Sequence, residues 1–204
     1  NGKRLSAITK WMCEKFAIEI KIIPVTDNSI ETRIITPRGA LHLQEFWVRH
    51  RGLDSIDGIE YHGADKARPN PDAVNAIHDS NLIVIAPGNP LTSIGPMLSI
   101  KGIRKELIKK KHRVVAVSPV IGTSAVSGPA GKYLEAAGIE VSPYGIAQMY
   151  ADVCSSIIID TKDRAAAKKI ETLNIDVHDT KIRMTNKQSE NALASFILKQ
   201  YNIS

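Results

Sequence analysis

Two short runs, Leu82-Ile83-Val84-Ile85-Ala86 and Val114-Val115-Ala116-Val117, contain no polar residue. A strand with one wet face alternates apolar and polar side chains. A short run without alternation, rich in β-branched residues, reads as a strand buried on both faces. Helical patterns stand beside both runs, at Pro71–His78 with proline in the first turn and at 103–111. The alternation continues with a helix at 130–137, a short strand Ile139–Val141, a helix near Ile146–Val153 and a strand Ser156–Ile159. Helices near 163–172 and 187–201 close the chain, with a short strand Ile182–Met184 between them. Strands alternating with helices predict an α/β class, a three-layer Rossmann-like parallel sheet. A length of 204 residues fits one domain spanning 1–204.

The first third reads differently. Leu5, Ile8, Met12 and Phe16 stand at helical spacing, and Ile20–Pro24 reads as a short strand. Arg33–Thr36 and Ala40–Arg49 read as strands around the turn Pro37-Arg38-Gly39, giving a small β-rich insertion near residues 30–62. Both faces of the second strand are mixed: His42, Gln44, Phe46 and Val48 on one, Leu41, Leu43, Glu45 and Trp47 on the other. Such mixing fits a pocket wall, an interface or an irregular edge hairpin. The chain opens on Asn1 inside a helical pattern and carries no signal-peptide pattern, so it reads as a fragment lacking an amino-terminal part.

Composition narrows the classes. With 43% hydrophobic and 24% charged residues, the chain has enough apolar side chain for a core, which excludes disorder as its main state. No apolar stretch approaches the roughly 20 residues of a membrane span. Cys13 and Cys154 are too few for a disulfide framework or a cysteine-rich zinc site, and a reducing cytoplasm is the simplest compartment. The formal charge of +6 favours anionic partners. The basic run Lys101–Arg113 also carries Ile103, Leu107 and Ile108 at helical spacing, so it reads as the wet face of a packed helix rather than a nucleic-acid contact.

Three loops can carry chemistry. Pro87–Pro96 follows the first buried strand, at the end where open α/β sheets bind ligands. Gly88 and Gly95 permit close backbone approach, Thr92 and Ser93 can cap the next helix, and such a helix start suits a phosphate. The alternative is an ordinary capped turn. Ser118–Lys132 follows the second buried strand and is rich in small residues. Its Gly131-Lys132 pair fails as a P-loop, because Val126 stands at the first glycine position and Tyr133 where Ser or Thr belongs. It reads as a Gly/Ser lid or a capped helix start. Pro24–Asn28, with Glu31, Thr32 and Arg33 behind it, is short and polar. Asp27 or Glu31 there can hold magnesium or accept a proton, though a Thr-Asp-Asn-Ser turn needs no function. The scattered histidines, the missing G-x-S-x-G elbow and the missing G-x-G-x-x-G motif leave zinc, acyl-transfer and dinucleotide chemistry without support.

Together, Pro24-Val25-Thr26-Asp27, Glu31-Thr32-Arg33, Gln44–Val48, Ala67–Pro71, Pro87–Pro96 and Ser118–Lys132 resemble the 2-phospho-L-lactate transferases, the CofD family of coenzyme F420 biosynthesis. The resemblance implies transfer of a phospholactyl group from lactyl-2-diphospho-5′-guanosine to the deazaflavin alcohol FO, giving F420-0 and GMP. It also implies magnesium, a homodimer, and in some relatives a phosphoenolpyruvyl donor. By the same likeness Asp27 is the catalytic and metal candidate. Thr26, Glu31, Thr32, Trp47, Asn89, Thr92, Ser93, Ile94 and Gly95 are the substrate-binding candidates. Small-molecule substrates, with neither nucleic acid nor membrane, are the partners expected. The family's opening strand and glycine-rich loop would precede Asn1, making the chain the carboxy-terminal two-thirds or so of a full-length member. The rival is a non-catalytic sugar-nucleotide-binding regulator of the gluconeogenesis-factor type, against which Gln44–Val48 and Pro24–Asp27 speak.

Overall fold

A computed structural model describes residues 2–126 and 128–203. Asn1, Ser127 and Ser204 lie outside the described residues, Ser127 being part of the Ser-Gly-Pro-Ala-Gly-Lys stretch. The chain opens with α1 (Leu5–Lys15), then β1 (Glu31–Thr36), β2 (Gly39–His42), β3 (Gly58–His62) and α2 (Pro71–Asp79). Next come β4 (Ile83–Ile85), the one-turn α3 (Gly95–Leu98), α4 (Lys101–Lys109) and β5 (Val114–Val117). A small hairpin, β6 (Val120–Ile121) and β7 (Ser124–Ala125), leads to α5 (Ala130–Ala136), α6 (Pro143–Tyr150) and β8 (Ser156–Asp160). The chain ends with α7 (Ala167–Glu171), β9 (Asp176–Thr180) and α8 (Lys187–Gln200). By internal contacts it divides into two compact units, Asn1–Ser80 with Thr92–Lys109, and Asn81–Leu91 with Lys110–Ser204.

The second unit holds a four-stranded sheet in the order β4-β5-β8-β9, parallel throughout. Every residue of β5 and β8 is buried, as their apolar runs require. Leu193 and Ile197 of α8 pack against Val115, Val117 and Ile158 on one face. Each such side chain contributes about 1.5–3 kcal/mol of burial. Ala116, Ile157 and Ile159, on the other face, are buried as well. Both faces are covered and helices flank the sheet, which is the layered α/β class expected. Parallel pairing puts the ends at Ile85, Val117, Asp160 and Thr180 on one edge.

The first unit holds the β-rich insertion, an antiparallel sheet in the order β2-β1-β3. In β1, Thr32, Ile34 and Thr36 are buried while Glu31, Arg33 and Ile35 are partly exposed, a clean alternation. The turn at Pro37 and Arg38 joins Thr36 to its partner Gly39, and the Thr36 hydroxyl donates to the Gly39 carbonyl at 2.9 Å. Asn70 caps α2, its side chain accepting from the Asp72 N–H at 3.0 Å, with Pro71 behind it.

Several expectations give way. Ile20–Pro24 forms no strand: it has no ladder partner, and Ile20 and Ile22 are exposed. The expected strand Ala40–Arg49 stops at His42, and Glu45–Arg49 coils into a π-helical turn closed by an Arg49–Glu45 ion pair at 3.2 Å. Phe46 is its one buried residue, so a segment without a period-two pattern satisfies its backbone locally instead. Ile139–Val141 is a link rather than a strand, because the Ile139 N–H bonds back to Leu134 and the Ser142 N–H to Glu140. The last strand is β9, not Ile182–Met184. Ile182 instead buries its side chain and donates its N–H to Asp160. Thr92 and Ser93 do not cap a helix; they lie inside a π-helical turn, Pro90–Ile94, that runs into α3 with no side-chain cap. Val84 is 43% exposed on an edge strand, and on α4 Ile108 faces outward while Ile103 and Leu107 are buried. α1 forms as expected but buries none of its residues.

Gly145, in the first turn of α6, sits against the chain before it. A Cβ there would lie 2.0 Å from the Glu140 carbonyl oxygen. Gly145→Ala is therefore expected to cost about 3 kcal/mol, the upper end for overpacking, because the obstacle is backbone. Urea unfolding followed by circular dichroism measures it; an unchanged midpoint would refute the close approach.

Candidate functional site

In the first unit the polar loop Pro24–Asn28 is pinned to the segment before α2. The Thr26 hydroxyl donates to the Arg68 carbonyl at 2.6 Å and accepts from the Asn28 N–H at 3.1 Å. The Arg68 N–H donates to Asn28 Oδ1 at 2.8 Å, and the Asn70 N–H donates to the Val25 carbonyl at 2.7 Å. Thr26 is buried; Asp27 is exposed. Asp27 reaches the other way, to the start of α1. Its Oδ1 accepts from the Ser6 N–H at 2.7 Å and its Oδ2 from the Ser6 hydroxyl at 2.9 Å. A carboxylate on the first-turn N–H groups of a helix is a capping interaction.

Ser6 also lines a cleft of about 670 Å³ between α1 and residues 18–24. Ile18, Ile20, Ile22 and Ile23 supply apolar wall, and Arg4, Lys10 and Lys21 supply cations against Glu14 and Asp72. Apolar wall with a few charged groups suits an amphiphilic anion. Asp27 does not line the cleft itself but is bonded to a residue that does.

Glu31 and Thr32 lie on opposite faces of β1. Glu31 pairs with Arg33 at 3.1 Å on the open face. That face also carries His42 opposite Arg33, with Glu60 and His62 of β3 paired at 2.7 Å. Thr32 is buried opposite Tyr61, whose phenol is pushed up to about 12 by burial and stays protonated. Trp47 packs edge-on against Phe46, ring centroids 6.1 Å apart, and stacks over Gly52, where a Cβ would meet the ring at 2.7 Å. Gly52 itself has φ +63, so the position excludes a side chain twice over. Val48 and Leu53 stand exposed nearby in sequence.

In the second unit the chemistry gathers at the carboxyl edge of the sheet. After β4 the Asn89 side chain accepts from the Leu91 N–H at 3.0 Å, fixing the entry to the π-helical turn. Thr92, Ser93 and Ile94 continue that turn and Gly95 opens α3; these four residues are counted with the first unit, Ser93 exposed and Ile94 buried. Asp160, buried at the end of β8, accepts from the Lys162 and Ile182 N–H groups at 3.1 and 3.2 Å. Arg164 grips Asp179 through two nitrogens, which holds the Asp179 carboxyl below its ordinary range. Cys154 is buried and its thiol is pushed up to about 12. Among the described residues no group of three or more His, Cys, Asp or Glu side chains is gathered for a metal, and no helix is long and apolar enough to cross a membrane.

Of the residues singled out from sequence, Thr26 is fastened to the Arg68–Asn70 segment, while Asp27 is bonded to Ser6 instead. All but Asn89 belong to the first unit. Ser6, Asp160 and Asp163 carry contacts that sequence reasoning missed. Ser6 gave no signal beyond its place in a first helical turn, whereas Asp160 is an acid closing an apolar strand, which is one.

The profile of the family described as 2-phospho-L-lactate transferase CofD matches residues 1–194. The chain belongs to the CofD family. A 2-phospho-L-lactate transferase of Methanosarcina mazei is 38% identical over 201 residues, covering 98% of this chain and 66% of the relative. One of Methanocaldococcus jannaschii is 42% identical over 173 residues, covering 83% of this chain and 55% of the relative. The chain thus spans less than two thirds of the length of these CofD relatives. A solved structure of a Bacillus halodurans protein shares the fold, with a TM-score of 0.65 at 16% identity over 96% of this chain and 67% of that one. These findings do not favour the gluconeogenesis-factor reading.

The Thr26 clasp gives a direct test. Thr26→Val keeps the shape but leaves the Arg68 carbonyl and the Asn28 N–H without their partner. The expected cost is about 1–3 kcal/mol, read from denaturant unfolding. A stability equal to wild type would mean that the loop is held by other contacts.

Proposed function

We propose that this chain takes part in phospholactyl transfer from lactyl-2-diphospho-5′-guanosine to FO, yielding F420-0 and GMP. The observation that carries the reading is the family match across residues 1–194. The FO side-chain hydroxyl attacks the phosphorus bearing the lactyl group. The bond from that phosphorus to the bridging oxygen breaks, GMP leaves with the oxygen, and the hydroxyl proton passes to a base. Phosphoryl transfer of this kind rests on positioning and charge neutralisation.

Asp27 is the proposed base. A carboxylate offers about four lone-pair sites and Ser6 uses two, so acceptor capacity remains on an exposed group. Magnesium typically takes one or two carboxylates and completes its shell with phosphates and water, which Asp27 fits without a larger cluster. Bound there, the ion would neutralise phosphate charge. The basic, isoleucine-walled cleft of the first unit suits a ligand with a flat ring and an anionic end. The turn Asn89–Gly95 is the proposed seat of the donor's phosphates, and the Trp47 region, with Val48 and Leu53 exposed, a deazaflavin or subunit contact in a homodimer.

Two substitutions test the assignment. Asp27→Asn is expected to lower conversion of FO to F420-0 by a factor on the order of 10² if the carboxylate is the base. If it holds magnesium instead, raising the metal concentration restores part of the loss. Wild-type turnover at both magnesium concentrations removes Asp27 from the chemistry. Ser93→Ala is expected to weaken GDP binding by about 1–2 kcal/mol in calorimetry, for one lost charge-assisted hydrogen bond. Unchanged affinity moves the phosphates elsewhere, and no F420-0 from the wild type defeats the reading as a whole.

A further inference from the structure

The loop leaving β5 is a built hairpin with a fixed base. The buried Ser118 hydroxyl donates to the Val120 carbonyl at 2.8 Å and accepts from the Val120 N–H at 3.1 Å. The Ser118 N–H donates to Ile158 of β8 at 2.9 Å, and the Val126 N–H closes the hairpin onto the Pro119 carbonyl at 2.8 Å. Two pairs, Val120 with Ala125 and Ile121 with Ser124, make up the whole ladder. A ladder so short is marginal alone. The base therefore fixes where the hairpin starts but not where its tip lies.

The tip has its own fastening. The Gly122 N–H donates to both carboxylate oxygens of Asp163, at 2.9 and 3.0 Å. Asp163 comes from a different loop, the 3-10 turn Thr161–Ala166 that leaves β8. An acid after one strand thus holds the tip of the hairpin after its neighbour. Both loops leave the sheet at the carboxyl edge, where ligands of open α/β sheets bind. The tip residues Gly122, Thr123 and Ser124 are exposed. Ile121 packs against the sheet core just below the tip, and at the turn itself the charge-assisted bond to Asp163 holds Gly122.

We propose that Asp163 is a positioning residue that latches the β6–β7 hairpin as a flap beside the carboxyl edge of the sheet, where a nucleoside diphosphate is held. The ligand part rests on the transferase reading above. The latch itself does not.

The test has two readouts. In Asp163→Ala, hydrogen exchange at the Gly122 amide is expected to accelerate by about tenfold or more, since a hydrogen bond to a charged group is lost. In the same variant KM for the guanosine diphosphate donor is expected to rise about tenfold while kcat stays within about twofold, because the flap positions rather than reacts. Asp163→Asn keeps an uncharged acceptor for the Gly122 N–H and should fall between the two on both readouts. A wild-type exchange rate in Asp163→Ala overturns the latch. Faster exchange with an unchanged KM overturns the positioning role. A fall in kcat alone overturns it too, by pointing to chemistry instead. If the wild type neither binds GDP nor forms F420-0, the ligand part fails with the transferase reading, and the exchange comparison still decides the latch.

Discussion

Burial of β5 and β8 on both faces is the constraint on which the larger sheet depends. A strand covered above and below can satisfy its N–H and C=O groups only sideways, by laddering with neighbours. Here that demand is met by parallel partners. Parallel order in turn sends the chain out of every strand at the same edge. The loops after Ile85, Val117, Asp160 and Thr180 are gathered there by backbone hydrogen bonding and not by any attraction between the loops themselves. Once gathered, they are fastened to one another by acids: Asp160 holds Ile182, and Asp163 holds Gly122.

The first unit uses the same economy with different parts. Its polar loop is tied down by a hydroxyl, an amide and two backbone groups. Thr26 and Asn28 face inward to the Arg68 segment, and Asp27 faces outward to the start of α1. A loop built this way has a fixed backbone and one solvated carboxylate. That arrangement is compatible with a purely structural cap and with acid-base chemistry, and the same two bonds from Ser6 serve either role.

The layered α/β class was legible because the apolar runs are short, unbroken and flanked by amphipathic stretches. Where a strand is polar the signal disappears. Asp176–Thr180 carries no apolar run to mark it, because an edge strand needs only one buried face and β9 carries acids and a histidine, whereas Ile182 and Met184 flank Arg183 in a strand-like pattern. The opposite error arose at Ile20–Pro24 and Ile139–Val141, where apolar residues sit in links that have no ladder partner. Gln44–Val48 showed its mixed faces plainly, and the mixing reflected a helical turn hung on Phe46. At the site, the motif residues around Asp27 could be picked out by their chemistry. Their partner Ser6 could not, because a contact 21 residues away in sequence leaves no local pattern.

The two sulfurs have unlike surroundings. Cys154 is fully enclosed and its thiol is held protonated far above neutrality, while Cys13 sits at the rim of the first-unit cleft. An alkylating reagent at neutral pH therefore meets a folded chain with one addressable thiol, and an opened chain with two. The ratio of singly to doubly modified mass counts how much of the second unit has come apart, without any probe being engineered into it.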